Sequence, residues 1–343
     1  MTITRVSGVY LRLMILSGAR KSGKKFLNPV PTDLGSIGKL VPILKEFINN
    51  KAENVPAHGL GPFITDTAIY QTPPASGLRV TWVGHSSLLI EIDGKRILTD
   101  PVWSNRASFL SFIGPKRFFQ PPIPLPDLPP LDAVIVSHDH FDHLDAATIH
   151  WLAAKNIPFY CPLGVGQFLS ACGIQKNLIS EMDWGDSIMV GNKCQVTATP
   201  ARHFSGRGLL GRNETLWASF VITGPRHNIF FGADSGWFPG FQRIGEQFGP
   251  FHLTMLEIGA YGKYWPDIHM GPDKATDAHI ALQGKVMMPI HWGTFNLAPH
   301  AWYEPIERLE QYALQKNITL FAPEPGQPEE VRPLDSQWWK KYR

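Results

Sequence analysis

The sequence predicts an α/β sandwich. Three observations carry this. Runs of strand formers outnumber helical patterns from residue 78 onward, and the helical patterns fall between pairs of strand-like runs. At 343 residues with 43% apolar side chains, the chain is also long enough to bury a substantial core. It carries 31 glycines and 30 prolines, well above the usual combined share of about 12%, so many loops and turns are expected.

The elements follow in order. Residues 1–78 lack sustained periodicity, contain scattered proline and glycine, and offer one short helix over 37–50. Strands are expected over 79–84 and 86–92, then the turn signal Asp93-Gly94, then a strand over 95–99. Residues 101–130 form a proline-rich segment with Trp103, Phe109, Phe112, Phe118 and Phe119 and no regular period. A loop of that length inside a compact domain is usually functional or a covering flap. A strand over 133–137 and a helix over 144–155 come next. Strands are then expected over 158–161, 195–199, 218–223, 228–231, 253–258, 286–290 and 319–322, with helices over 272–282 and 305–316. This divides the chain into an extension (1–78), a main domain (79–324, with the flap 101–130) and a tail (325–343).

Charge and cysteine content narrow the function classes. A net charge of +3 excludes a strongly basic nucleic-acid binder, and no nucleic-acid partner is expected. Cys161, Cys172 and Cys194 form no CxxC and leave one thiol odd, which speaks against a disulfide framework or a thiolate zinc site. No uncharged apolar run reaches 18 residues, so no spanning helix is expected. The apolar stretch at 9–16 is interrupted by Arg12 and has no convincing cleavage site after it. It precedes the basic cluster Arg20, Lys21, Lys24 and Lys25, a combination that suits either a solvated N-terminus or contact with an anionic membrane surface. A cytoplasmic or peripheral-membrane protein is the expectation, with oligomeric state left open. Gly18 to Lys24 matches seven positions of a phosphate-binding loop, but Lys25 stands where a magnesium-binding hydroxyl is needed, which disfavours an NTPase.

The chemistry concentrates at Ser137-His138-Asp139-His140-Phe141-Asp142-His143-Leu144-Asp145. Three imidazoles and three carboxylates crowd the end of an expected strand. In extended backbone, alternate residues project to one side, so His138 and His140 can grip one ion. Asp142 and His143 fall near the opening of the next helix and can face a second. Imidazole with carboxylate suits Zn²⁺, with Mn²⁺ or Fe²⁺ as alternatives. His203, Asp234 and His291 each sit just past a strand-like run, among small or turn-forming residues.

These residues resemble the metallo-β-lactamase superfamily, whose mark is an HxHxDH loop followed by His, Asp and His from later strands. The chain further resembles its N-acylphosphatidylethanolamine-hydrolysing phospholipase D branch, at 81–85, 98–102, 114–118, 131–138, 249–252, 258–261 and 291–295. The similarity covers roughly residues 79–324; residues 1–78 show no match to the lipid-handling N-terminal parts of animal members. The resemblance implies a four-layer αββα sandwich with two Zn²⁺ per chain. His138, His140 and His203 would hold one ion, Asp142, His143 and His291 the other, and Asp234 would bridge them. It also implies catalytic roles for His269 and Asp142, with His269 binding phosphate or protonating the leaving oxygen.

Two zinc ions about 4 Å apart lower the pKa of a shared water toward ~7, so that a bridging hydroxide can attack phosphorus. Asp100 is expected to steer a ligating histidine from behind, since such rings usually give their other nitrogen to a carboxylate or carbonyl. His85 is expected to line the site. Lys116 and Arg117, in the flap, are candidates for the substrate phosphate, while the flap aromatics either admit lipid tails or pack the loop down. The leading reading is a zinc-dependent phosphodiesterase of phospholipase D type hydrolysing N-acylphosphatidylethanolamine or a related glycerophosphodiester, with a phospholipid or small phosphodiester as its expected partner. A lactonase or ester hydrolase of the same superfamily is second, and a non-catalytic metal- or lipid-binding module third.

Overall fold

Strand alternation decides which layer each side chain joins. A computed structural model describes residues 18–34, 38, 40–49, 51–110, 112–208 and 211–343; the apolar stretch at 9–16 lies outside them. The described chain opens with the hairpin β1 (Lys21–Ser22) and β2 (Lys25–Phe26), followed by α1 (Leu40–Asn49). The phosphate-loop-like residues thus form an antiparallel hairpin, with Lys21 paired to Phe26, and not the strand, loop and helix that an NTPase requires.

A meander of β3 (Leu78–Gly84), β4 (Ser87–Ile92) and β5 (Lys95–Thr99) follows. Its second turn is Asp93-Gly94 with φ of 49° and 80°, the left-handed pair that a two-residue hairpin needs. Then come β6 (Ala133–Ile135), α2 (Ala146–Leu152), β7 (Phe159–Pro162), α3 (Gly166–Ala171) and β8 (Ile179–Met182). The second half comprises β9 (Ser187–Val190), β10 (Cys194–Thr199), β11 (Ser219–Thr223), β12 (Asn228–Phe231), α4 (Gly240–Phe248), β13 (Leu253–Glu257), α5 (Gly271–Ala281), β14 (Val286–Ile290), α6 (Glu304–Gln315), β15 (Thr319–Ala322), β16 (Pro328–Glu330) and β17 (Leu334–Asp335).

One sheet runs β16-β3-β4-β5-β6-β7-β8 and the other β17-β15-β14-β13-β12-β11-β10-β9. Each is antiparallel where hairpins connect it and parallel from β5 to β8 in the first and β12 to β15 in the second, with helices making the parallel crossovers except β5 to β6, which the 101–130 flap spans. Ala133 and Ile135 face the core between the sheets while Val134 and Val136 face the α2–α3 layer, and Ile97 and Leu98 divide in the same way. With α5 against β13 and α4 and α6 flanking α5, the layers are helix, sheet, sheet, helix, the four-layer α/β sandwich expected.

The stretch set apart as a tail is built into the sheets. β16 pairs with β3, and the fully buried Trp338 packs among Trp82, Trp292 and Phe63. Asp142 and His143 precede α2 instead of opening it. The helix is capped by Asp145, whose side chain accepts from Ala147 N–H. Among the described residues, no helix is long and apolar enough to cross a membrane.

Candidate metal centre and active site

All but His269 of the chemistry-bearing side chains stand at or just past the C-terminal end of a strand, where open α/β sheets place ligands. His85 follows β3, Asp100 follows β5, the 138–145 loop follows β6, His203 follows β10, Asp234 follows β12, Glu257 ends β13 and His291 follows β14. The backbone turns sharply at several of these positions. His85, Asp100 and His291 have φ of 55°, 36° and 62°, a left-handed conformation that costs a non-glycine residue about 1–3 kcal/mol and persists only where the surroundings enforce it.

Three overlapping groups of ligand atoms result, the third being Asp234, Glu257, His269 and His291. His138 Nε2 and His140 Nδ1 lie 2.8 Å apart, and His203 Nε2 lies 3.3 Å from the same Nδ1. Asp234 Oδ2 is 3.6 Å from His203 Nε2 and 3.9 Å from His138 Nε2. In the second group Asp142 Oδ2 is 3.0 Å from His85 Nε2, 3.6 Å from His143 Nε2 and 3.5 Å from His291 Nε2. Asp234 also reaches this group, with Oδ2 3.2 Å from His143 Nε2 and Oδ1 3.1 Å from His291 Nε2. Within each group the ligand atoms fall inside 4.8 Å of one another.

The donor set fits divalent cations. The Nε2 atoms of His143 and His291 and Oδ1 of Asp234 are buried without an aligned hydrogen-bond partner. Such atoms are costly to bury, by about 1–3 kcal/mol each, unless a partner satisfies them. Burial pushes His138, His140 and His203 down, toward the neutral form that ligates. Burial opposes ionisation of Asp142 and Asp234, but the facing imidazoles outweigh it and hold both carboxyls well below their usual range. The converse holds for His143 and His291. Burial disfavours their protonation, yet the Asp234 and Asp142 carboxylates raise both, His291 to about 10.

Comparison with known proteins agrees with this geometry. Residues 95–292 match the beta-lactamase superfamily domain. The chain is 48% identical over 276 residues to an uncharacterised protein of Mycobacterium tuberculosis, covering 78% of this chain and 73% of that one. It is 38% identical over 248 residues to N-acyl-phosphatidylethanolamine-hydrolyzing phospholipase D 1 of Caenorhabditis elegans, covering 69% and 70%. The chain belongs to the metallo-β-lactamase superfamily. It is a metal-dependent hydrolase of that fold. The solved structure of Igni18, a metallo hydrolase from Ignicoccus hospitalis, superposes with a TM-score of 0.58 at 23% identity, covering 74% of this chain and 98% of that one.

In this hydrolase the residues behind the ligands are as ordered as the ligands. Asp100, fully buried, sets Oδ2 2.7 Å from His143 Nδ1 and accepts from Ser137 N–H and Oγ–H at 2.7 Å; Ser137 Oγ in turn lies 2.8 Å from His138 Nδ1. One carboxylate therefore steers a histidine in each of the first two groups. His85 stands closer than a lining residue: its Nε2 meets Asp142, and its ring centroid is 3.8 Å from that of His291. Burial, with His291 adding to it, pushes His85 down to about 3.

His269 faces the same cluster, its ring centroid 5.2 Å from those of His203 and His291. Glu257 is the participant that sequence reasoning missed. Its Oε2 accepts from His269 Nδ1 at 2.5 Å and its Oε1 from Ser235 and Met270 N–H at 3.0 and 3.2 Å. The one available signal was a lone carboxylate closing an apolar strand.

The two flap cations separate. Lys116 is exposed on the loop surface. Arg117 is buried and points away from a substrate role: its Nη1 donates to Val102 O at 2.8 Å and its Nε to Phe119 O at 3.2 Å, while the guanidinium lies over Phe295. It fastens the flap base to the rim of the site. Phe118 and Phe119 are buried beside it, whereas Phe109 and Phe112 are exposed.

Proposed function

We propose that this hydrolase is a dinuclear zinc phosphodiesterase that cleaves an N-acylated phospholipid or a related glycerophosphodiester on its D side. The observation that carries this reading is the full set His138, His140, His203, Asp142, His143, His291 and Asp234 in a chain 38% identical to a phospholipase D of that name. Asp234 reaches the first two groups and is suited to bridge two ions, with Mn²⁺ or Fe²⁺ as alternatives to zinc. When bound, two such ions lower the pKa of a shared water and neutralise charge on the phosphoryl oxygens.

The chain's own residues then do the rest. Asp100 and Ser137 hold the His143 and His138 rings in ligating orientation. Glu257 takes the Nδ1–H of His269, whose Nε2 makes no hydrogen bond among the described residues. That nitrogen can bind the phosphate or deliver a proton to the departing oxygen. The balance is simple: water supplies the new P–O bond, the P–O bond to the N-acylethanolamine breaks, and the leaving oxygen takes a proton. Phosphatidate and a free N-acylethanolamine result.

A carbonyl substrate, a lactone or carboxylic ester, is the second reading. It is favoured by the two flap cations, since Lys116 is on the surface and Arg117 is engaged by backbone carbonyls. Turnover of N-acylphosphatidylethanolamine in mixed micelles by zinc-loaded protein, measured beside a panel of lactones and aryl esters, separates the two. The phosphodiesterase reading expects turnover of the phospholipid, abolished in His291→Ala. Hydrolysis of the carbonyl panel alone would replace it.

A further inference from the structure

The outer end of the flap exposes a cluster of large apolar side chains. Phe109 is 82% exposed, Phe112 69%, Ile113 56% and Leu110 37%. Such a cluster on a soluble surface marks an interaction site. Its mount is firm. Below the tip the strands of the loop pair through Arg106 and Lys116, Ala107 N–H donates to Pro115 O at 3.1 Å, and Arg117 N–H donates to Asn105 O at 2.9 Å.

The base then grips both sides of the metal centre. Phe118 N–H donates to Thr294 O at 2.9 Å, three residues past His291. Ser104 N–H donates to Asp145 at 2.9 Å, two residues past His143. The base of the flap is therefore tied beside both His291 and His143.

Charge identifies the occupant. From Pro101 through Pro126 the flap has no carboxylate, while Arg106 and Lys116 flank its apolar end. A second basic element stands at the site: β1–β2 exposes Lys21, Lys24 and Lys25, and the chain just after it is tied to His203 by a reciprocal pair, Asn28 Nδ2 to His203 O at 2.7 Å and His203 N–H to Asn28 Oδ1 at 3.0 Å. Apolar side chains to enter the acyl boundary, with cations beside them, fit an anionic lipid bilayer. A second copy of this basic chain would bring like charges together.

We propose that Phe109, Leu110, Phe112 and Ile113 insert into the interfacial layer of an anionic bilayer and seat the metal site against the membrane surface. The use of this contact rests on the phospholipid reading above, but the contact itself is measurable without turnover. The experiment is flotation of the full chain with phosphatidylglycerol–phosphatidylcholine vesicles, compared with the Phe109→Ser/Phe112→Ser variant at matched metal content and melting temperature. The expected result is a partition coefficient about tenfold or more lower for the variant, and weaker binding of wild type to pure phosphatidylcholine. In a Phe109→Trp variant, vesicles should shift the indole emission to the blue. Equal partitioning of wild type and double variant, or no vesicle binding by wild type, overturns the proposal. So does a wild-type dimer that the double substitution dissociates, with no vesicle binding, because the patch then covers a second copy. Failure of the phosphodiesterase reading would appear as vesicle binding without hydrolysis, a different outcome.

Discussion

Glu257 and His269 form a carboxylate–imidazole pair 2.5 Å apart that joins the end of β13 to the loop before α5. The same carboxylate receives the backbone N–H next to Asp234 and the one next to His269, through Ser235 and Met270. It thus sets the position of Asp234, the carboxylate that reaches the first two groups, and of His269, whose side chain is 12% exposed.

Glu257→Gln keeps an oxygen for the two N–H groups but removes the charge facing Nδ1. It should lower kcat by about 10–100-fold. His269→Ala should lower it by about 10²-fold or more if the ring moves a proton. Elemental analysis should show unchanged metal content in both. Unaltered turnover in either would remove that residue from the reaction.

Asp100 contacts no ligand group's centre directly, yet it steers His143 and, through Ser137, His138. Asp100→Asn should weaken metal affinity about 10–100-fold, read by competition with a chromophoric chelator. Retention of wild-type affinity would show that strand geometry alone orients the rings.

A different carboxylate secures the first sheet. Glu91, on β4, is buried and pairs with both Arg79 and Arg96. Glu91→Leu leaves Arg79 buried without its counter-charge and should cost about 3–5 kcal/mol in urea unfolding. A loss under 1 kcal/mol would mean that the carbonyls of Ile69 and Thr72, which also receive Arg79, suffice.

Stability should depend on pH through His279, which lies away from the metal ligands with its Nδ1 2.7 Å from Thr254 Oγ1. Burial pushes it down to about 4, while in the unfolded chain a histidine keeps about 6.5. Between those values the unfolded chain binds a proton that the folded one refuses. Stability from this group is therefore intact above about pH 6.5 and falls as pH drops toward 4, by about 1.4 kcal/mol per unit. Urea midpoints of His279→Asn should lack this slope; parallel slopes for the two proteins would refute it.

What the sequence disclosed, and what it hid, follows from physical distance along the chain. β12, β14 and β15 are legible residue for residue because short apolar runs stop at turn formers. β8 and β9 escape notice because they are half-exposed strands without a clean alternation. α4 is masked by Gly240 and Gly245; at Gly245 a side chain would meet Ala281 O at 2.2 Å, so close packing against α5 overrides helix propensity. The metal loop is dense enough to read directly. Glu257 is not, since its partner lies twelve residues away in a loop and only the fold brings them together. The terminal tryptophans likewise acquire meaning only when β16 returns to β3.

The most direct test of the account follows the oxygen. Zinc-loaded protein is given N-acylphosphatidylethanolamine in ¹⁸O-enriched water, and the products are weighed by mass spectrometry. Attack at phosphorus predicts one ¹⁸O in the phosphatidate and none in the N-acylethanolamine. Label in a fatty acid, or no products from protein with its metal sites filled, would contradict it.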